Sequence, residues 1–375
     1  MSDVRMVKLG DVLTFVGIPE KITDPAIEKY VTVQNNGRGA IRRVIKDGKS
    51  PVPFTGYRIK PGQFIYSRID ARNGAFAIIP EELDNFVVSK DFPIFEVQNH
   101  LVISQYLLEF LKSGNIQRII QNLSRGATNR QRIKEAEFLD FPFPLPSLEE
   151  QKRIVSILDK AKSIQEARER QLAALDELAS SLFQSVNRLS NTKVTLGEVL
   201  SFSSRSIIPG AEHQNMPNIG PDCIEPNTGF LKGWRTIQED SAISAKYLFT
   251  EGDILYSKIR PYLNKVSIAD FTGLCSSEIY PLTVKKEIAN TYYITYLLRS
   301  SIFLQYSELN STGANIPRIN KSNIEKFEFE LPDLNIQNIF AEKIKKILHT
   351  RSFVQSSLEE YKLLLRSLQS SLFIH

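Results

Sequence analysis

Gly62-Gln63-Phe64-Ile65-Tyr66-Ser67-Arg68-Ile69 returns 190 residues later as Gly252-Asp253-Ile254-Leu255-Tyr256-Ser257-Lys258-Ile259. The doubling continues outward on both sides. Val7-Lys8-Leu9-Gly10-Asp11-Val12-Leu13 recurs as Val194-Thr195-Leu196-Gly197-Glu198-Val199-Leu200 at an offset of 187. Gly126-Ala127 recurs as Gly313-Ala314, and Phe143-Pro144-Leu145-Pro146 as Phe329-Glu330-Leu331-Pro332. Matches in one order at nearly constant offset define an internal repeat whose two units fill the 375 residues. The small drift in offset places short insertions in loops.

Each unit has two parts. The first is about 145 residues of mixed character. Short apolar runs bounded by Gly and Pro, Phe64 to Ile69 and Asp253 to Tyr256, predict strands, whereas Ile103 to Lys112 and Tyr292 to Arg299 have helical spacing. The second part comes after Leu145-Pro146 or Leu331-Pro332, where proline ends the preceding segment and Ser147 or Asp333 is placed to cap a helix. No Pro or Gly interrupts either of these second parts. In unit two, Phe340, Ile344, Ile347, Val354, Leu358, Tyr361, Leu365, Leu368 and Leu372 alternate at spacings of 4 and 3, broken only by Arg351. The same frame in unit one gives Ile154, Leu158, Ala161, Gln165, Arg168, Leu172, Leu175, Ala179, Leu182 and Val186. A period of 3.5 held for about ten turns marks a coiled-coil seam, too long for one face of a small globule. The polar seam residues Gln165, Arg168 and Arg351 either fix register or mark where a partner packs. The expectation is an α+β protein with two similar globular domains at 1–146 and 190–332. Two long helices at 147–189 and 333–375 are expected to pack on each other as a coiled coil.

Composition bounds the function. Apolar residues make up 42% and charged residues 24%, the norm for globular chains, and a net charge of +5 leans mildly toward polyanions. Cys223 and Cys275 cannot build a disulfide framework and point to a reducing compartment. Met1 to Gly10 has no apolar signal core, and no run approaches the roughly 18 apolar residues of a membrane span, so a cytoplasmic protein without a membrane partner is expected. No phosphate-cradling glycine loop and no metal-ligand spacing among His100, His213, His349 and His375 is visible. His213 and Cys223 read as a surface histidine and a buried cysteine. Pro332-Asp333 with Glu360-Tyr361-Lys362 imitates a nuclease signature, but that chemistry wants Glu and Lys on a strand, and Tyr361 is a helical seam residue. No catalytic residue and no metal site is assigned.

What remains is binding. Arg38, Arg42, Arg43, Lys46 and Lys49 crowd a glycine-containing stretch opposed only by Asp47. Arg68, Arg72 and Asn73 come at and after the end of the first repeat block, and Ser124 to Arg132 is a polar basic loop containing Arg125, Thr128, Asn129 and Arg130. In unit two, Ser257, Lys258, Arg260 and Tyr262 replace the Arg68 loop. Asn315, Arg318, Asn320 and Lys321 replace the Gly126 loop. Arg, Asn, Gln and Ser/Thr are the side chains that hold phosphates and read base edges. Their recurrence at equivalent places of a repeat favours a nucleic acid as partner.

With these residues in place, the sequence resembles the DNA-specificity subunits of type I restriction-modification systems. The resemblance spans the chain. It rests on the Leu-Gly-Asp/Glu openings of each half and the Gly62 and Gly252 blocks. Ile219-Gly220-Pro221-Asp222-Cys223-Ile224-Glu225 with Thr228-Gly229, and the Leu-Pro-x-Leu-x-x-Gln joints at Leu145 to Gln151 and Leu331 to Gln337, add to it. It implies two target-recognition domains, each reading half of a split site. It implies antiparallel spacer helices that set the distance between halves, two methylation subunits docked on them, and restriction subunits joining these. S-adenosylmethionine would then sit on the methylation subunits, ATP and magnesium on the restriction subunits, and none on this chain. Unit one departs by carrying Val31-Thr32-Val33-Gln34-Asn35 where unit two has Ile219-Gly220-Pro221. Two rivals stand beside this reading. A single-chain DNA-modifying or DNA-cleaving enzyme would need an Asn/Asp-Pro-Pro-aromatic loop or a metal cluster. A coiled-coil adaptor would have no DNA role at all.

Overall fold

The structure, a computed structural model, describes residues 4–45, 52–114, 132–189, 192–203 and 206–373. The chain divides into two compact units, Met1–Ala167 with Leu358–His375, and Arg168–Ser357. Among the described residues no helix is long and apolar enough to cross a membrane.

In the first unit, Phe64–Tyr66 is one of the two inner strands of a four-stranded antiparallel sheet in the order Leu13–Phe15, Ile94–Val97, Phe64–Tyr66, Phe76–Ile78. All three residues of Phe64–Tyr66 are buried, because the sheet is covered on both faces. Phe64 and Tyr66 meet Phe76, Phe95 and Phe138 on one face, with the Tyr66 and Phe138 rings stacked 4.1 Å apart. Ile65 points the opposite way, into a second core with Tyr57, Ala77, Val88 and Ile94. A three-stranded sheet (Glu20–Ile22, Phe54–Arg58, Val87–Ser89) and the hairpin Val31–Val33 with Ala40–Arg42 complete the globule. Helix Ser104–Lys112 lies where apolar spacing places it.

The globule closes by pairing Arg5–Lys8 antiparallel with Pro142–Leu145, and the chain then enters the 40-residue helix Leu148–Asn187. The Ser147 hydroxyl accepts from Glu150 N at 3.3 Å, the expected cap. One turn in, Gln151 is fully buried. Its Oε1 accepts from Ile103 N at 2.8 Å, and its Nε2 donates to Leu101 O at 3.0 Å and Pro146 O at 2.9 Å. Beyond it, Ile154 and Leu158 join the core together with Phe373, which packs on Tyr106 and Phe110. Tyr361, twelve residues before Phe373, donates its hydroxyl to Ala161 O at 3.0 Å, so these helical stretches run antiparallel.

The second unit repeats the plan. Its sheet has the order Leu200–Phe202, Ile279–Val284, Ile254–Ser257, Val266–Ile268. The aromatic core of the first unit is replaced largely by aliphatic side chains, with Ile254, Val266, Leu282 and Ile324 around Tyr256. A five-stranded sheet contains one parallel pair, Pro217–Ile219 with Gly273–Ser276. Thr192–Thr195 closes on Glu328–Leu331 before the 40-residue helix Leu334–Phe373. Asp333 meets that helix through its carbonyl, which accepts from Ile336 N and Gln337 N. Gln337 is buried like Gln151, accepting from Asn290 N at 2.8 Å and donating to Pro332 O at 2.7 Å and Ile288 O at 3.4 Å.

Helix pairing in this unit is also antiparallel. Phe183 packs edge-on against Phe340 at 6.1 Å, while Asp176 takes a two-pronged ion pair from Arg351 at 2.6 and 3.1 Å. Arg351, the one break in the seam frame of helix Leu334–Phe373, is 6% exposed and lies 4.7 Å from the centre of the Phe230 ring. It therefore fixes register from inside the seam, since a guanidinium buried there needs its carboxylate opposite. Arg168 instead bonds Gln171 on its own helix. Ile154, Leu158, Leu172, Leu175, Leu182, Phe340, Ile344, Ile347, Val354, Leu358, Tyr361, Leu365, Leu368 and Leu372 are all buried or half-buried. Phe183 and Phe373, each one place beyond a seam leucine, carry the helices onto the globular cores.

Replacing Gln151 with Ala strands one amide and two carbonyls in a dry joint. The expected cost is about 2–4 kcal/mol in urea unfolding. Arg351→Ala should lower stability by about 1–3 kcal/mol, a moderate value because Asp176 is half-exposed and recovers water. Unchanged unfolding midpoints would show that neither group holds the helices in place.

Candidate nucleic-acid interface

The loop that leaves the inner strand has the same backbone frame in both units. Ser67 N donates to Ala75 O at 3.0 Å, and Ser257 N to Lys265 O at 3.0 Å. Arg68 N donates to Asp91 O and Lys258 N to Glu278 O; Ile133 N donates to Arg68 O and Ile319 N to Lys258 O. One tight turn comes next, Ala71–Asn73 ending on Gly74 (φ 72°), or Pro261–Leu263 ending on Asn264 (φ 50°). A second loop docks on the turn, through Gly37 N to Gly74 O at 2.7 Å and Asn227 N to Asn264 O at 3.0 Å. That second loop is closed by Gln34 N to Gly39 O in one unit and Glu225 N to Phe230 O in the other. The counterpart missing from the first half at the level of sequence is therefore present in space. Val33 pairs with Ala40 where Ile224 bridges Leu231, and both Val33 and Ile224 are buried. The side chains around these two positions share no motif, so the equivalence has no signal in the sequence.

The same frame sorts the candidate residues. Arg132 pairs with Asp91 at 2.9 Å and Arg318 with Glu278 at 3.3 Å, an ion pair repeated in both halves. Arg68 is held by Glu135 at 2.8 Å with both side chains about a quarter exposed. Lys258 shares Glu278 at 3.9 Å and lies over Tyr280 at 5.4 Å. Arg68 and Lys258 thus anchor the loop to its neighbours, and they do not project from it. Ser257 needs correction: it is 3% exposed and its hydroxyl donates to Ile259 O, so it shapes the turn and reaches no external partner. Lys321 is exposed, 4.8 Å from the Phe202 ring and 3.6 Å from Glu325. Asn320 is exposed at the start of helix Lys321–Glu325, and Asn315 is exposed in the loop before it.

In the first unit, Arg38, Arg42 and Arg43 are exposed along the hairpin that carries the docking loop, and Arg38 Nε donates to Asn35 O. Arg72 is half-buried in the turn, and Asn73 is exposed and donates to Asp70. Arg125, Thr128, Asn129 and Arg130, with Lys46 and Lys49, lie outside the described residues. Arg260 and Tyr262 project from the second turn, Tyr262 at 51% exposure.

His213 and Cys223 are both half-buried, contrary to the expected surface–core split. His213 Nδ1 accepts from Gly210 N at 3.1 Å, which folds the ring back on its own turn. Glu360 and Lys362 lie within helix Leu334–Phe373, and Lys362 pairs with Glu359. Among the described residues no three His, Cys, Asp or Glu side chains are grouped as metal ligands. A cleft of about 630 Å³ in the second unit is lined by Asp176, Asn187, Thr228, Asn264, Arg299 and Arg351. Two of its guanidiniums are already engaged, Arg299 with Val266 O and Arg351 with Asp176.

Gly229 is fixed by the frame: at φ +69° an added Cβ would run into Val266 O and the Arg299 guanidinium. Gly229→Ala should cost on the order of 3 kcal/mol in thermal unfolding, and a neutral result would contradict the packing of this loop. Burial pushes the Cys275 thiol up to about 12. Of the two cysteines only half-exposed Cys223 should react with a thiol reagent at neutral pH, and rapid labelling of Cys275 in the folded protein would contradict its burial.

Comparison with known proteins agrees with this doubled architecture. The chain is 26% identical over 287 residues to the EcoDI type I restriction enzyme specificity subunit of Escherichia coli, a match covering 66% of this chain and 63% of that protein. Its fold resembles a chain from the structural study of complex assembly and conformational transition of the type I R-M system. That likeness has a TM-score of 0.58 and 16% identity, covering 100% of this chain and 98% of the other. It also resembles the type I restriction-modification S subunit from M. genitalium, with TM-score 0.55 and 16% identity, covering 100% and 96%. The type I restriction modification DNA specificity domain matches twice, at residues 1–176 and 190–360, one match for each half of the repeat, and the chain belongs to that family.

Proposed function

We propose that this chain is the specificity subunit of a type I restriction-modification complex, reading a two-part site on double-stranded DNA without catalysis of its own. The observation that carries the reading is the doubled frame. The same loop cluster is built twice on the same hydrogen bonds, and its exposed tips bear different side chains. Two sites of one construction with different tips fit two half-sites of different sequence. On this reading residues 1–146 and 190–332 are the target-recognition domains, and residues 147–189 and 333–375 are spacer helices. Two methylation subunits dock on those helices, and restriction subunits join through them, in the cytoplasm.

The assignment of cofactors comes from the same division of labour. S-adenosylmethionine belongs to the methylation subunits, and ATP and magnesium to the restriction subunits. Phosphate contacts by exposed Arg38, Arg42, Arg43 and Lys321 supply salt-dependent affinity, and base edges are read from the loop tips.

The test is an exchange of halves. Residues 1–146 are replaced by the matching domain of a relative, and the methylated motif is sequenced in cells that also carry the methylation subunits. One half of the motif should change and the other stay. A change in both halves would contradict independent reading, and an enzyme that methylates or cuts without partner subunits would contradict the non-catalytic role. Binding of the complex to duplex DNA should weaken steeply with salt; salt-independent or absent binding would favour an adaptor with no DNA role.

A further inference from the structure

We infer that Arg260 is a specificity-determining residue that reads a guanine in the half-site contacted by residues 190–332. The inference rests on the DNA-reading function proposed above and adds the residue and the base.

Three observations converge on this side chain. The first is electrostatic. Around the second loop cluster, Lys258 and Arg318 share Glu278, and Lys321 has Glu325. Arg260 is exposed, and among the described residues its side chain has no ion pair and no hydrogen bond. Of these four cations it is the one with no carboxylate partner among the described residues, whereas Lys258, Arg318 and Lys321 each have a carboxylate within 4 Å.

The second is conformational. Arg260 sits at φ 49°, ψ 58°, a left-handed region that a side chain with a Cβ occupies at a cost of roughly 1–2 kcal/mol. Glycine or asparagine would be at ease there. The turn is nevertheless tied down on several sides. Arg260 N donates to Pro317 O at 2.8 Å, Leu263 N to Arg260 O at 2.9 Å, and Asn264 Nδ2 to Arg299 O at 3.1 Å, while Pro261 is buried. Backbone strain concentrates where function requires a group to be held. Here it holds the base of an arginine fork while the guanidinium stays free. A fork of this kind matches O6 and N7 of guanine with two hydrogen bonds.

The third is the internal comparison. At an offset of 190 the turn equivalents are Asp70 for Arg260 and Arg72 for Tyr262, within the shared backbone frame. Asp70 has ordinary backbone angles (φ −105°), and its carboxylate accepts from Asn73. The framework is kept, while the charge at this one position reverses. Folding constrains the frame residues equally in both halves, so the changed tip is where the two halves differ in what they recognise.

The test uses the full chain produced with its methylation subunits, with the methylated motif read by sequencing and site affinity measured on duplexes carrying each single base-pair change. Wild-type chain giving no two-part motif would sink the function itself, before Arg260 is in question. Given a motif, Arg260→Gly should leave the melting temperature equal or higher, because the left-handed turn is relieved. It should relax discrimination at one G·C pair of one half-site by roughly 5- to 150-fold, the ~1–3 kcal/mol of a bidentate contact. Arg260→Lys should fail to restore that discrimination, because an ammonium lacks the fork. Uniform weakening at every position, repaired by lysine, would make Arg260 a phosphate contact and overturn the inference. So would unchanged specificity, a relaxed base in the other half-site, or a lowered melting temperature in the glycine variant.

Discussion

A buried glutamine at the root of each long helix governs the rest of the fold. Gln151 and Gln337 are fully enclosed, and each satisfies one amide and two carbonyls that belong to separate chain segments. A neutral amide can donate and accept at once, so it saturates a dry joint that a charged or apolar side chain would leave unsatisfied. The direction in which a helix leaves its globule is set by these bonds together with the strand pair just before it, Arg5–Lys8 with Pro142–Leu145 or Thr192–Thr195 with Glu328–Leu331. Downstream, Phe373 in one unit and Phe183 in the other complete the attachment by entering the globular cores.

The loop clusters obey a comparable economy. Main-chain hydrogen bonds are indifferent to the side chain, so a frame built from Ser67 N, Gly37 N and Ile133 N is rebuilt from Ser257 N, Asn227 N and Ile319 N. The repeated Arg132–Asp91 and Arg318–Glu278 pairs tie the flanking loop to the same place in each. With positions set by backbone, the tips are free to vary. Two domains of one architecture can thus present unlike surfaces.

Much of this was legible beforehand. The repeat, the strands after Gly62 and Gly252, the two long helices and their seam come from periodicity, because burial selects side chains at fixed spacing. The site was legible only as a set of basic residues. Lys258 and Arg68 look like contact residues in sequence because their carboxylates, Glu278 and Glu135, are 20 and 67 positions away. Ser257 looks like a polar loop residue, yet it lies inside the turn.

Sequence by itself determined the doubling, the α+β character, the coiled-coil seam and the family resemblance, since each is a local pattern repeated at a constant interval. Tertiary structure alone decided which charges are neutralised, because ion pairing depends on which loops meet. It decided that Arg351 finds Asp176 across the seam, and that Val31 to Asn35 occupies the place of the Ile219 segment despite sharing no motif with it. It also decided that Arg260, without an ion pair among the described residues, sits in a strained turn, since a positive φ is written in the path of the backbone and not in the identity of the residue.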